Sequence, residues 1–333
     1  MDFDTRYDSS NYLATIRSKG QLLQTGLNRA RDASFPEEYD RIVIMGMGGS
    51  GIAGRLLQRY LPREPIEVVS DYDATIPITS RTIVFVCSYS GNTEEAISFF
   101  QKVVVSNATV IAVTGGGQLA EMARSKRLTQ ITMPQGLQPR VSSLAMLFSL
   151  IRCFANSGVK GAADHAQEAI RTASNESVLD TMEQYAKGLA SKIADKTPLV
   201  YATENLREVA YLWKTNFNEN SKVHSFTSII PELCHNELAA FTHPQDYYVI
   251  FLNDESDSRR LKQRTDILRS VLNRRGFENS TIMVKGPNTL TKMINTIHLS
   301  ELTSTFLALG HHIDPADVST IEEFKKELAQ KTF

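Results

Sequence analysis

Gly46-Met47-Gly48-Gly49-Ser50-Gly51 follows the β-branched run Arg41–Met45 and precedes the helical stretch IAGRLLQRYL. Strand, glycine turn and helix in that order match G-x-G-x-x-G, and Asp71 stands 20 residues beyond Gly51, so the dinucleotide fingerprint is formally satisfied. The physics of the loop is more general than the fingerprint. Glycines permit a tight turn, and the N–H groups of a helix N-terminus attract any phosphate.

A second loop separates the possible phosphates. Thr82–Cys87 runs into Ser88-Tyr89-Ser90-Gly91-Asn92-Thr93-Glu94-Glu95 and then AISFFQKVVV. Hydroxyls at the first, third and sixth positions of a strand-to-helix turn can each donate to a different oxygen of one dianion, with Gly91 admitting the bend. Ser88 or Thr93 is also expected to cap the following helix, with Glu94 and Glu95 favouring its first turn. Capping accounts for one hydroxyl rather than three, and a dinucleotide site needs no second hydroxyl cradle. The pattern predicts a small phosphomonoester held at Gly49, Ser50, Ser88, Ser90 and Thr93.

Outward from these loops, short apolar runs alternate with helical stretches: Ile42–Met45, Ile66–Val69, Thr82–Cys87, Ala108–Val113 and Gln130–Met133, then Leu199–Ala202, Tyr247–Leu252 and Thr281–Val284. Such alternation signals parallel sheets with helices on both faces, an α/β fold in two units. The expected divisions are a helical arm over residues 1–40, a first α/β unit over 41–153, a helical connector over 154–196 and a second unit over 197–333. Leu13, Ile16, Leu22, Leu23 and Leu27 suggest one leading helix over 11–31, and Ile321–Lys331 reads as a charged amphipathic helix.

The 333 residues carry 36 Lys+Arg against 37 Asp+Glu, a formal net charge of -1, with 42% hydrophobic and 22% charged residues. Without a surplus of basic charge, neither nucleic acid nor an anionic membrane is an expected partner. The polar start MDFDTRYDSS and the lack of a long apolar run point to a cytoplasmic protein, and Cys87, Cys153 and Cys234, odd in number and far apart, to reduced thiols. No metal or redox cofactor is expected: His311-His312 reads as a polar loop, since no HxxxH or HExxH spacing occurs.

GMGGSGIAG followed by CSYSGNTEE resembles a sugar isomerase (SIS) domain. The resemblance implies flavodoxin-like three-layer α/β/α subdomains whose hydroxyl-rich loops bind a sugar phosphate at Ser50, Ser88, Ser90 and Thr93. Three further stretches bear on chemistry. Gly136–Ser143 sets Arg140 beside Pro139 at the start of the apolar helix SLAMLFSLIRCF, where a cation opposes the helix dipole and makes more sense if an anionic ligand shares the site. Trp213–Lys222 places Glu219 near the end of a helix that begins around Leu206, flanked by Asn218 and Asn220, which are expected to position it. Pro231–Leu238 places His235 at a turn entering the helix LAAF, where an N-terminus would favour neutral imidazole.

FNENSK…PELCHNE resembles the bifunctional phosphoglucose/phosphomannose isomerase family, with a match running from about Arg41 to Lys326. The resemblance implies interconversion of glucose 6-phosphate and fructose 6-phosphate, with mannose 6-phosphate as a further substrate, through an enediolate. It assigns Glu219 as the base between C1 and C2, His235 to ring opening, Arg140 to the enediolate and a final-helix lysine to the ring oxygen or hydroxyl. That lysine is best matched by Lys325, with Lys326 as competitor, because Asp314–Thr320 stands where the family has a DPTPVP-like turn. It also implies a homodimer in which His235 reaches the partner's site. The alternatives are a non-catalytic phosphosugar sensor and, third, an NAD-dependent enzyme.

Overall fold

Strands and helices alternate because apolar runs long enough to cross a sheet are separated by stretches apolar on one side only. The computed structural model describes residues 1–72, 76–243 and 245–330. The chain runs α1 (Tyr12–Arg17), α2 (Lys19–Arg29), β1 (Arg41–Gly46), α3 (Gly48–Tyr60), β2 (Ile66–Val69), β3 (Thr82–Ser88), α4 (Glu94–Val103), β4 (Thr109–Thr114), α5 (Gly117–Ser125), β5 (Thr129–Thr132), α6 (Pro139–Asn156), α7 (Ala162–Ala173) and α8 (Glu176–Ile193). It continues through β6 (Thr197–Thr203), α9 (Arg207–Ser221), β7 (Phe226–Ile230), β8 (Tyr247–Asp254), α10 (Arg259–Arg274), β9 (Glu278–Val284), α11 (Thr289–Gly310) and α12 (Ser319–Ala329).

Two units result. Residues 18–175 with 287–291 form the first lobe, and residues 1–17, 176–286 and those from 292 onward form the second. The leading helix expected over 11–31 is two helices separated at Ser18. The apolar spacing lapses between Ile16 and Leu22, and the two halves serve different cores: the Ile16 carbonyl meets the His298 ring at 3.0 Å in the second lobe, whereas α2 packs on α6 in the first. The final helix starts at Ser319 rather than Ile321, and Lys331 lies outside the described residues.

The first lobe holds a five-stranded parallel sheet in the order β2-β1-β3-β4-β5. Alternate residues of each strand face opposite layers. Val43, Met45, Val84 and Val86 pack with Ala96, Phe99 and Phe100 of α4. Ile44 faces the other way, where a Cβ on Gly54 of α3 would stand 2.9 Å from its methyl. Phe85 stacks on Phe154 of α6 on that second face.

The second lobe holds a four-stranded parallel sheet, β7-β6-β8-β9. Its edge strand β7 has no counterpart in the expected strands, because FTSII is short, half polar and only partly buried until Ile230. α11 likewise has no counterpart among the expected elements. Apolar residues and hydroxyls surround it on all sides, so no stripe marks it, and its Thr296, Ser300, Thr303 and Ser304 hydroxyls bond back to carbonyls of the preceding turn. Among the described residues no helix is long and apolar enough to cross a membrane.

Candidate active site

The order 2-1-3-4-5 sends the chain from β1 to opposite sides of the sheet, which opens a crevice beyond the ends of β1 and β3. Both glycine loops end up there, since Gly46 is the register partner of Cys87. The loops brace each other: the Tyr89 N–H donates to Ser50 Oγ at 3.2 Å. Within the second loop, the Ser88 and Thr93 hydroxyls share a hydrogen bond of 2.9 Å, the Gly91 N–H donates to Ser88 Oγ and the Asn92 N–H to Ser90 Oγ. Gly91 has φ +72°, and a Cβ there would stand 1.8 Å from the Gly116 carbonyl oxygen.

The expected side-chain cap is not made. Thr93 occupies the N-cap position of α4 in extended conformation, yet its hydroxyl makes no capping bond and pairs with Ser88 instead. The leading N–H groups of α4 therefore keep their anion-attracting character. Ser88 and Ser50 are buried, Thr93 is half-buried and Ser90 sits exposed at the rim.

Arg140 is the second residue of α6 and is buried. The start of α6 lies against the first loop, because a Cβ on Gly49 would meet the Pro139 carbonyl oxygen at 2.7 Å and Arg140 Cα at 3.6 Å. Tyr89 ties the preceding turn to the same place: its hydroxyl donates to the Pro134 carbonyl at 2.8 Å and accepts the Leu137 N–H at 2.9 Å. Gly49, Ser50, Ser88, Thr93 and Arg140 thus gather at one end of the first sheet. Tyr89, which braces both loops and the turn before α6, carries no mark of that role in the local sequence.

At the corresponding ends of β6 and β8 in the second lobe, the chain bonds to itself. The Thr203 hydroxyl donates to the Asp257 carboxylate at 2.9 and 3.0 Å, and Asp254 pairs with Lys292 at 2.8 Å. Burial pushes the Asp257 carboxyl up. Burial acts the same way on Asp254, but the Lys292 ammonium and Ser256 outweigh it and leave that carboxyl below its ordinary value. Two carboxylates here stand where the first lobe presents donors.

Glu219 lies near the end of α9, half-buried, in the wall of a cavity of about 600 Å³ shared with Lys222, His224, Asp317 and Ser319. The flanking amides hold the helix end. Asn218 Nδ2 donates to the Val223 carbonyl at 2.9 Å, while Asn220 donates to Ser304 Oγ at 2.9 Å and accepts the Tyr12 hydroxyl at 3.1 Å. Asn216 bonds Ser300 and Trp213 Nε1 bonds the Thr296 carbonyl, so a row of contacts fixes α9 along α11. Lys222, unsuspected from sequence, adopts φ +58° at the helix end and donates to the carbonyls of Glu219 (2.6 Å), Asp314 (3.2 Å) and Pro315 (3.4 Å), joining α9 to the loop before α12. Lys325 is exposed on α12, pairs with Glu322 at 3.1 Å, and is outside that cavity's lining; Lys326 is exposed on the same helix.

His235 is the last residue of a 3-10 turn, Glu232–His235, and is followed by a second 3-10 turn, Glu237–Thr242. The helix expected at LAAF is too short and tight to supply an N-terminal dipole, and His235 closes a turn rather than opening one. Its position relative to Glu219 follows from topology. β6 and β7 are parallel and α9 returns the chain between them, so Glu219 lies toward the end of the sheet where strands begin. His235 comes after β7, where strands finish. The five residues of β7 at ~3.3 Å each put ~15 Å of strand between those ends.

His311 and His312, read as a polar loop, bond the Ala194 carbonyl and stack on Tyr7, respectively. Among the described residues no group of three or more His, Cys, Asp or Glu is arranged to hold a metal.

Comparison with known proteins gives the frame for these parts. Residues 37–157 match the SIS domain model, and residues 182–328 match the bacterial phospho-glucose isomerase C-terminal SIS domain. The C-terminal domain of glucosamine-fructose-6-phosphate aminotransferase from Francisella tularensis has a similar fold, with a TM-score of 0.74 at 12% identity over 92% of this chain and 97% of that one. A D-glucosamine-6-phosphate 4-epimerase from Sulfolobus acidocaldarius is 30% identical over 65% of this chain and 69% of its own length. A bifunctional phosphoglucose/phosphomannose isomerase from Thermoplasma volcanium is 36% identical over 90% of this chain and 95% of its own. With a match of that identity along nearly the whole of both sequences, the chain belongs to the bifunctional phosphoglucose/phosphomannose isomerase family.

Proposed function

We propose that this protein interconverts glucose 6-phosphate, mannose 6-phosphate and fructose 6-phosphate by proton transfer through an enediolate. The observation that carries the reading is the double loop of the first lobe, where hydroxyls and uncapped helix N–H groups converge on one place in a chain whose full-length relatives are named as these isomerases. The phosphate would be held at Gly49, Ser50, Ser88, Ser90 and Thr93. Glu219 would remove the proton from C2 of the open-chain aldose, leaving an enediolate, and return it to C1. Glucose and mannose differ at C2 alone, and C2 is planar in the enediolate, so one intermediate serves both. Arg140 would stabilise the developing oxyanion, a contribution of a few kcal/mol for such a charge.

His235 would assist ring opening from a second copy of the chain. Support comes from the second lobe, where Glu219 and His235 lie at opposite ends of one sheet, so a substrate touching both needs a histidine from elsewhere. Lys325 would act at the ring oxygen; its exposed pairing with Glu322 is of a kind worth ~0–1 kcal/mol and is readily exchanged for a substrate contact. A cytoplasmic location fits three free cysteines, two of them buried.

Purified protein given each hexose 6-phosphate without added metal or nucleotide should equilibrate the three sugars. Glu219→Gln should lower turnover by about 10²–10⁴-fold while phosphosugar binding persists. No turnover of any of them over a broad pH range would overturn the reading, and saturable binding without conversion would favour a phosphosugar sensor. The likeness to the Sulfolobus acidocaldarius epimerase supports a second reading at C4 of an amino sugar, so glucosamine 6-phosphate belongs in the same incubation.

A further inference from the structure

We propose that Glu237 is a positioning residue for His235, clamping the turn that carries the histidine onto the β6–β7 strand pair. The inference rests on the reading of His235 as a reacting group. Tyr201 and Ser228 are register partners on parallel β6 and β7, so their side chains share one face of the sheet. The Tyr201 hydroxyl donates to Glu237 Oε1 at 2.5 Å, and the Ser228 hydroxyl donates to Glu237 Oε2. One carboxylate therefore spans two strands, two residues after His235.

The intervening residue completes the clamp. Asn236 Oδ1 accepts the Glu237 N–H at 2.5 Å, and Asn236 Nδ2 donates to Glu232 Oε1 at 3.2 Å, which joins the two 3-10 turns. On the other side of His235, Leu233 is buried in a cluster with Tyr201, Ile230 and Phe241. The histidine itself is exposed. Its backbone is thus held by an apolar anchor before it and an oriented polar one after it.

These two anchors do different things. Apolar packing is non-directional and leaves a short turn free to slide, whereas charge-assisted bonds to both carboxylate oxygens fix direction as well as distance. Tyr201 is fixed by the ladder that pairs β6 with β7 and β8, and its ring lies edge-on to Phe241 and Phe251. Burial first, then the Glu237 carboxylate, keep its phenol protonated and so a permanent donor.

The test is steady-state kinetics with fructose 6-phosphate on full-length Glu237→Ala, Glu237→Gln, Tyr201→Phe, His235→Asn and the double variant His235→Asn with Glu237→Ala. A displacement of ~1 Å costs about 10²-fold in rate, so Glu237→Ala should lose about that in kcat with KM nearly unchanged. Glu237→Gln, which keeps an acceptor and the shape, should recover about tenfold of the loss. The double variant should be no slower than His235→Asn alone, since a misplaced group and an absent one are equivalent. Tyr201→Phe keeps the ring and removes one donor; it should show a smaller kcat loss with the same non-additivity, and it stands in should Glu237→Ala fail to fold. Wild-type kcat in Glu237→Ala or Tyr201→Phe, or losses that multiply with His235→Asn, would overturn the positioning role. Wild-type turnover in His235→Asn would instead overturn the role of the histidine itself.

Discussion

Asn220→Ala should destabilise the second lobe more than Asn218→Ala, its near neighbour at the end of α9. The side chain is fully buried, donates to Ser304 Oγ at 2.9 Å and accepts the Tyr12 hydroxyl at 3.1 Å. Truncation removes both bonds. Ser304 keeps its own donation to the Ser300 carbonyl at 2.8 Å, so the loss on that side is one ordinary bond, ~1 kcal/mol net. The other side costs more, because the buried Tyr12 hydroxyl loses this acceptor, a penalty of about 1–3 kcal/mol. The total is about 2–4 kcal/mol, and at ~2–4 °C per kcal/mol for a domain of this size the melting point should fall on the order of 5–15 °C.

Two controls sharpen the test. Tyr12→Phe deletes only the hydroxyl and should cost ~1 kcal/mol. Asn218→Ala removes a half-buried bond to the Val223 carbonyl and should cost less than Asn220→Ala. Calorimetric melting of the three proteins supplies the measurement. An Asn220→Ala transition within 1–2 °C of wild type, or one less affected than Asn218→Ala, would refute the account of how α9 is fixed on α11.

Gly91→Ala places a Cβ against the Gly116 carbonyl at a φ that disfavours side chains, so steady-state KM for hexose 6-phosphates should rise at least about tenfold, ~1.4 kcal/mol of lost binding. Asp254→Asn leaves the mostly buried Lys292 ammonium without its partner and should cost about 3 kcal/mol at pH 7. The pH dependence has a definite sign. The folded Asp254 carboxyl lies below its ordinary 3.8, so its stabilisation is present above that value and lost as pH falls through the folded one. Denaturant titrations of Asp254→Asn should show a flatter acid limb than wild type, and an equally steep limb would refute the pairing. Burial pushes the Cys153 thiol up to about 12 and raises that of fully enclosed Cys87. Iodoacetamide should therefore label Cys234 alone in the native protein, slowly at neutral pH because burial raises its thiol too. Peptide mapping that finds Cys87 or Cys153 modified before unfolding would contradict that order.

Much of the fold was legible because local patterns carry it. Strands β1, β3, β4, β6 and β8 are nearly continuous apolar runs, as strands covered on both faces must be. Edge strand β7 and helix α11 were illegible for opposite reasons. β7 is half polar and largely uncovered, and α11 is buried all round, so neither has the periodic contrast that reading by pattern depends on. The break at Ser18 has no local signal, because near-helical spacing on both sides of a gap looks like one helix until the halves are assigned to different cores.

The sequence by itself determined which chemical groups the chain carries: two glycine loops with hydroxyls at fixed offsets, an arginine at a helix start, and Glu219 and His235 in two distinctive runs. Offsets of a few residues suffice for that, since turn and helix geometry are local. Tertiary structure alone decided what holds those groups. Tyr89 bridges Ser50, Pro134 and Leu137, Lys222 reaches Asp314 and Pro315, Asn220 joins Tyr12 to Ser304, and Glu237 spans Tyr201 and Ser228. Each of these joins groups on different segments, and a hydrogen bond is specified by direction and distance in space, which spacing along the chain does not encode once the chain has turned back on itself.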